Sequence, residues 1–218
     1  MQSKKLILAG ANNPETLRLI DDINKSGKEK IEVLGWLDND ELKHGKDFCG
    51  FEVLGEFDIL RDSRFDDIYI FNNITTDAKV RSKTTDMLSK YNKRFISLIH
   101  PSVNIKNVSL AEHVCIQEGA IVQSGVNISN NACIFSMAFV GHNCNIGKSV
   151  FIGARATIGG FTKINNETTI WMGATIGPRL KIGSNCIIGA NALVLEDLES
   201  HTTIVSRPSM KIKKEKNE

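Results

Sequence analysis

The stretch "AFVGHNCNIGKSVFIG", residues 138–153, sets Val140, Ile146 and Ile152 six positions apart, each followed by glycine. The same spacing runs outward in both directions. Aliphatic residues stand at Leu110, Ile116, Val122, Ile128 and Ile134 before it, and at Ile158, Ile164, Ile170, Ile176, Ile182, Ile188 and Val194 after it, fifteen in one register. Four residues after each comes a second small or aliphatic side chain, as at Val114, Ala120, Val126, Ala132, Ala138 and Cys144. A helix does not repeat every six residues, and simple strand alternation does not require it. A hexapeptide repeat does.

Two inward side chains per hexad make one flat face, and three hexads make one triangular coil. Fifteen hexads give about five coils, stacked roughly 4.8 Å apart like paired strands. This predicts a left-handed parallel β-helix. The small residue is expected near the corner, where Gly or Asn tolerates the backbone angles, and glycine often follows the aliphatic, as at Gly141, Gly147 and Gly153. The register leaves no room for a long projecting loop between Leu110 and Val194. A site must then use outward residues on the faces or a second subunit, and a homotrimer is the expected assembly.

Residues 1–98 follow a different rhythm. "KLILAG", "IEVLGWLD" and "DDIYIFN" read as strands. A helix is expected from Pro14 to Ser26, with proline suited to its first turn. A second helix covers "DAKVRSKTTDMLSKY", with Val80, Met87 and Leu88 on one side. Strands alternating with helices predict a small Rossmann-like α/β unit. The chain thus divides into an α/β domain (1–98), a β-helix domain (99–205) and a C-terminal closure with a polar tail (206–218).

The 218 residues carry a net charge of +2, which argues against a nucleic-acid partner, and the lysine-rich end "KIKKEKNE" reads as a solvated tail. The five cysteines are odd in number and lack a CxxC pair, the usage of a reducing compartment. Met1 is followed by polar "QSKK" and only the short apolar run "LILAG". That predicts neither a signal peptide nor a membrane span, and a cytoplasmic protein.

His142 lies two residues past inward Val140, so its side chain is expected to face outward. Spacing alone leaves open whether it is catalytic or an ordinary surface histidine. His113 and His142 are the only histidines inside the fifteen hexads, too few for the three-histidine zinc site of a β-helix carbonic anhydrase. No metal site is expected.

At this point the chain resembles the hexapeptide-repeat sugar acetyltransferases of the sialic-acid O-acetyltransferase and bacillosamine N-acetyltransferase type. "KLILAGA" is similar to that family's opening strand and turn, "GWLDND" to its second strand, and "RFISLIHPSVNI" to its linker into the β-helix. "GANALVLEDLESHTTIVSRPSMKI" resembles its C-terminal closure. The resemblance implies transfer of an acetyl group from acetyl-CoA to an amino or hydroxyl group of a sugar or nucleotide-sugar, in surface glycan biosynthesis, at a site between subunits of a trimer. His142 matches the family's general base, a role that suits an imidazole titrating near neutral pH. Gly160, eighteen residues on, matches the backbone donor to the oxyanion. By position, Gly10, Asn12, Asn13, Asp38 and Asp40 correspond to substrate contacts. Gly160, Lys181, Ala190, Arg207 and Lys211, with Lys213 beside them, correspond to the acetyl-CoA side.

Three departures stand out. The family's acid after the histidine is Asn143 here, which can accept a hydrogen bond but carries no charge. A further family histidine is replaced by Phe151, which removes a polar contact. The glycine-rich turn after the first strand has become "GANNPE", with Pro14 lacking an N–H and Glu15 adding negative charge, so a bound nucleotide diphosphate is disfavoured. These departures motivate an alternative, a non-catalytic trimeric scaffold. His100 in the linker is expected to be structural.

Overall fold

The computed structural model describes residues 3–75 and 77–206. The N-terminal unit holds strands β1 (Lys4–Ala9), β2 (Ile31–Leu37), β3 (Asp47–Phe48), β4 (Phe51–Gly55), β5 (Tyr69–Asn72) and β6 (Arg94–Phe95) in one sheet of order β3-β4-β2-β1-β5-β6. All pairs are parallel except the short β3–β4 hairpin. Helix α1 (Glu15–Lys25) buries Thr16, Leu19, Ile20 and Ile23, the 3–4 spacing of one helix face.

Helix α2 (Ala78–Ser89) is capped by Asp77, whose side chain accepts the N–H groups of Lys79 and Val80. Its inward face differs from the one expected. Val80 and Met87 are exposed, while Ala78, Arg81, Ser82 and Leu88 are buried. The cause is tertiary: α2 packs against polar groups of the β-helix, so its most apolar side is not its packed side.

The rest of the described chain is a left-handed parallel β-helix of two-residue strands in three sheets. Partners lie eighteen residues apart, as in Val122↔Val140, Ile128↔Ile146 and Ile134↔Ile152. The linker is shared between the units: Arg94–Phe95 closes the first sheet, whereas Leu98–Ile99 (β7) pairs with Cys115–Ile116 and opens the β-helix. The fifteen aliphatic positions and their small partners form one continuous core. Each fully buried isoleucine contributes about 1.5–3 kcal/mol.

The left-handed corner residue is in several coils the expected Gly or Asn, as at Gly119, Gly125, Asn131 and Asn185. The glycine after the aliphatic is not the left-handed residue. That residue comes two places later in each hexad from Leu110 to Ile188, as at Asn143 (φ 56°), Phe161 (φ 60°) and Arg179 (φ 63°). Glycine is needed earlier because the next coil passes too close for a side chain. A Cβ on Gly141 would lie 2.6 Å from the Gly160 nitrogen, and one on Gly153 2.7 Å from the Met172 nitrogen.

The N-terminal unit rests on one face of the prism, the face of Cys115, Cys133 and Phe151, which join its core cluster. At the joint, His113 is fully buried, stacked on Phe95 at 4.5 Å and edge-on to Phe71 at 5.4 Å. Its Nε2 accepts the Asn72 N–H at 3.0 Å. Buried Arg81 donates to the carbonyls of Asn131, Asn72 and Ile74, tying α2 to both units. Arg18–Glu118 (3.0 Å) and Lys148–Asp86 (3.1 Å) add exposed ion pairs. All five cysteines are free thiols.

Candidate active site

His142 stands at the corner between strands Phe139–Val140 and Asn145–Ile146, with its side chain exposed. The corner fixes its backbone. Its N–H donates to Gln123 Oε1 at 2.9 Å, and its carbonyl accepts the Phe161 N–H at 2.8 Å. The imidazole lies in the space left by Gly160. A Cβ there would stand 3.0 Å from Nε2 and 3.2 Å from Cδ2. Phe161 closes one side, edge-on at 4.7 Å, and Arg179 lies over the Phe161 ring at 4.7 Å.

Gly160 is one coil above His142, and its carbonyl accepts the Arg179 N–H at 2.9 Å. Its own N–H has no acceptor among the described residues. A ring nitrogen and a free amide are therefore adjacent on one rigid corner, the pairing that a base and an oxyanion donor require.

Asn143 differs in detail from its expected role as an acceptor. As placed, its Nδ2 faces His142 Nδ1 at 3.1 Å, which makes Nδ1 the acceptor and puts the neutral ring's proton on Nε2. A half-turn of the amide places Oδ1 there instead, accepts Nδ1–H and frees Nε2 as a base. The tautomer and the amide orientation are thus linked.

Phe151 is not near His142. It is buried beneath the N-terminal unit, at 4.5 Å from Phe135 and 5.7 Å from Trp171. In this chain the position serves the joint between units.

His142 lies at the corner opposite the face on which its own N-terminal unit rests. The structure therefore does not bring Gly10, Asn12, Asn13, Asp38 and Asp40 to His142 within one chain. These five meet one another at the ends of β1 and β2, where they serve the turn. Asp38 accepts from the N–H groups of Ala11 and Asp40 and from Lys43 Nζ at 2.7 Å. Burial works to raise its pKa, but the bonds from Lys43, Asp40 and Ala11 outweigh that and hold the carboxyl below its ordinary value. Asp40 caps the following short helix through Leu42 N–H. Asn13 Oδ1 accepts the Glu15 N–H, and buried Asn73 donates to the carbonyls of Gly10 and Asn13.

Lys181 is exposed on the face next to the His142 corner, paired in register with Lys163. Ala190 is at a different corner, after Ile187–Ile188. Arg207, Lys211 and Lys213 lie outside the described residues. His100 bridges Ser102 Oγ (2.7 Å) and Asp22 (3.4 Å), joining linker to α1. His113 is the buried histidine of the joint. Its apolar neighbours come from residues distant in sequence, so only the fold could reveal it. No group of three His, Cys, Asp or Glu among the described residues could hold a metal ion. No helix among them is long and apolar enough to cross a membrane.

The family model described as "Bacterial transferase hexapeptide (six repeats)" matches residues 161–196. No curated protein sequence matches the chain. Among solved structures, PerB from Caulobacter crescentus, in complex with CoA and GDP-perosamine, is similar with a TM-score of 0.81 at 23% identity, over 93% of this chain and 94% of that one. Two further structures of that N-acetyltransferase carry a single histidine replaced by asparagine or alanine. The acetyltransferase domain of PglB from Neisseria gonorrhoeae, in complex with acetyl coenzyme A, gives 0.80 at 22% identity, over 97% and 100% of the two chains. WeeI from Acinetobacter baumannii gives 0.67 at 20%, over 95% and 98%. Residues 161–196 thus carry bacterial-transferase hexapeptide repeats, and the chain as a whole has the two-part fold, α/β unit followed by left-handed β-helix, of these proteins.

Proposed function

We propose that the protein is an acyltransferase that moves an acetyl group from acetyl-CoA to an amino or hydroxyl group of a sugar, with His142 as general base. The observation that carries this reading is the imidazole lodged against Gly160, beside the free Gly160 N–H. His142 Nε2 takes a proton from the acceptor as its nitrogen or oxygen attacks the thioester carbonyl. The new bond to carbon forms while the carbonyl oxygen becomes an oxyanion, to which the Gly160 N–H donates. The oxyanion then collapses, the C–S bond breaks, and the imidazolium returns its proton to the departing CoA thiolate.

The similar proteins crystallised with CoA, acetyl coenzyme A and GDP-perosamine support the donor and the sugar class. A homotrimer is part of the proposal. His142 faces away from its own N-terminal unit, and the faces beside it expose Phe161 and Leu193, which a neighbouring copy would cover. Acetyl-CoA supply and the sugar class fit a cytoplasmic step in surface glycan assembly.

The Nε2–H tautomer favoured by Asn143 as placed is the one observation in favour of the scaffold alternative. Mass spectrometry of a panel of amino sugars and sugar alcohols incubated with labelled acetyl-CoA tests the proposal. Acetylated product supports it; acetyl-CoA that neither binds nor turns over contradicts it.

A further inference from the structure

A cleft of about 500 Å³ opens beside His142 on the side of the first coils. Asn104, Lys106, Asn107, Gln123, Ser124 and His142 line it, with exposed Ile121 as an apolar patch. Amides and a hydroxyl are the groups that read sugar hydroxyls. The walls are stiff. Asn104 Oδ1 accepts the Lys106 N–H at 2.9 Å, the Asn107 carbonyl accepts the Gly125 N–H at 2.8 Å, and the Ser124 carbonyl accepts the Asn143 N–H at 3.1 Å. Lys106 is the one lining side chain of fixed charge, and it makes no ion pair with the described residues.

The other natural place for an anion is the turn after β1, where the strand order reverses between β1 and β5. Most of its donors are spent, and the Asn13 and Thr16 N–H groups left over are separated by Pro14 and Glu15. Gly10 N–H goes to Leu37 O, Ala11 N–H to Asp38, Asn12 N–H to Gly10 O and Glu15 N–H to Asn13. Pro14 has no N–H, and the Glu15 carboxylate stands in the first turn of α1. A Cβ-free approach remains only at Gly10, where Ile74 Cδ1 already stands 3.0 Å from a Cβ position. This turn does not offer the row of free amides that a diphosphate needs.

We infer that the cleft beside His142 is the acceptor subsite, and that the acceptor is a sugar bearing a carboxylate or phosphate that pairs with Lys106, not a nucleotide diphosphate held by the N-terminal turn. The inference rests on the reading of His142 as the base. It makes Lys106 a specificity-determining residue: its charge selects among sugars that present the same nucleophile to His142.

Calorimetric titration of the full-length protein tests it with matched probes: glucuronic acid against glucose, glucosamine 6-phosphate against glucosamine, and UDP-N-acetylglucosamine. At least one anionic probe is expected to bind about tenfold more tightly than its neutral twin, the scale of one charge-assisted contact. The advantage disappears in Lys106→Gln and survives in Lys106→Arg. The carboxylate and phosphate pairs show which anion is read. The inference is overturned if twins bind alike or not at all, if the advantage survives Lys106→Gln, or if the UDP-sugar binds more tightly than all the others without regard to Lys106. Titration with acetyl-CoA alone separates the two levels. Absence of acetyl-CoA binding contradicts the acyltransferase reading, whereas its binding without a Lys106-dependent anion preference contradicts this inference only.

Discussion

Asn143 Nδ2 stands 3.1 Å from His142 Nδ1, so the residue beside the imidazole decides which ring nitrogen carries the proton. An amide satisfies either tautomer by turning over. A carboxylate accepts from Nδ1–H and so holds Nε2 as the base.

Asn143→Asp is therefore expected to lock the base-competent tautomer and to favour the imidazolium. The acidic limb of the rate–pH profile moves to higher pH, and the rate at neutral pH rises or is little changed. Profiles of the two proteins that superimpose would show that residue 143 does not sense the ring.

Gly160→Ala tests the notch. Gly160 lacks a left-handed φ, so the substitution brings no backbone strain, but its Cβ would stand 3.0 Å from His142 Nε2. The imidazole must give way by a few tenths of an ångström, a fraction of the 1 Å displacement that costs about 10²-fold in rate, so a severalfold loss of activity is expected. The expected result is that loss with an unfolding midpoint within a few degrees of the parent. A variant with full activity would remove Gly160 from the site.

His113 makes stability depend on pH. Burial, then the nearby Arg81 charge, pushes its pKa well below the ordinary imidazole value. The unfolded chain binds a proton there at about pH 6.5 and the folded one does not. Its contribution is whole above that pH and falls by about 1.4 kcal/mol for each unit below it, until the folded pKa is reached. Urea midpoints at pH 8 and pH 5 should therefore separate more in the parent than in His113→Gln. Equal separations would mean that the joint does not exclude the charged ring.

Phe151→His places an imidazole under the N-terminal unit, not at the site. The unpartnered polar ring is expected to cost about 1–3 kcal/mol of stability with KM values unchanged. A gain in kcat would show that position 151 reaches substrate.

The β-helix was readable because its period is local: each hexad repeats the same two inward positions, and Leu110 to Val194 never slip. The corner chemistry was less so. Glycine suggests a left-handed backbone, but at Gly141 and Gly153 it answers to the neighbouring coil, a contact eighteen residues away in sequence. The packed side of α2 is hidden from the sequence for a similar reason, since Arg81 and Ser82 are buried by Asn131 and Glu167 of another unit. His142 and Gly160 could be paired from their spacing of one coil. The joint at His113 and the cleft at Lys106 could not, because both depend on how corners and faces meet in space.

The measurement that bears most directly on the account is turnover of labelled acetyl-CoA by the parent and by His142→Ala, with acetyl-CoA binding followed in parallel. Loss of the base is expected to lower turnover by ~10²–10⁴-fold while the affinity for acetyl-CoA stays nearly the same. A His142→Ala protein that turns over acetyl-CoA at the parent rate would contradict the assignment of this corner as the active site.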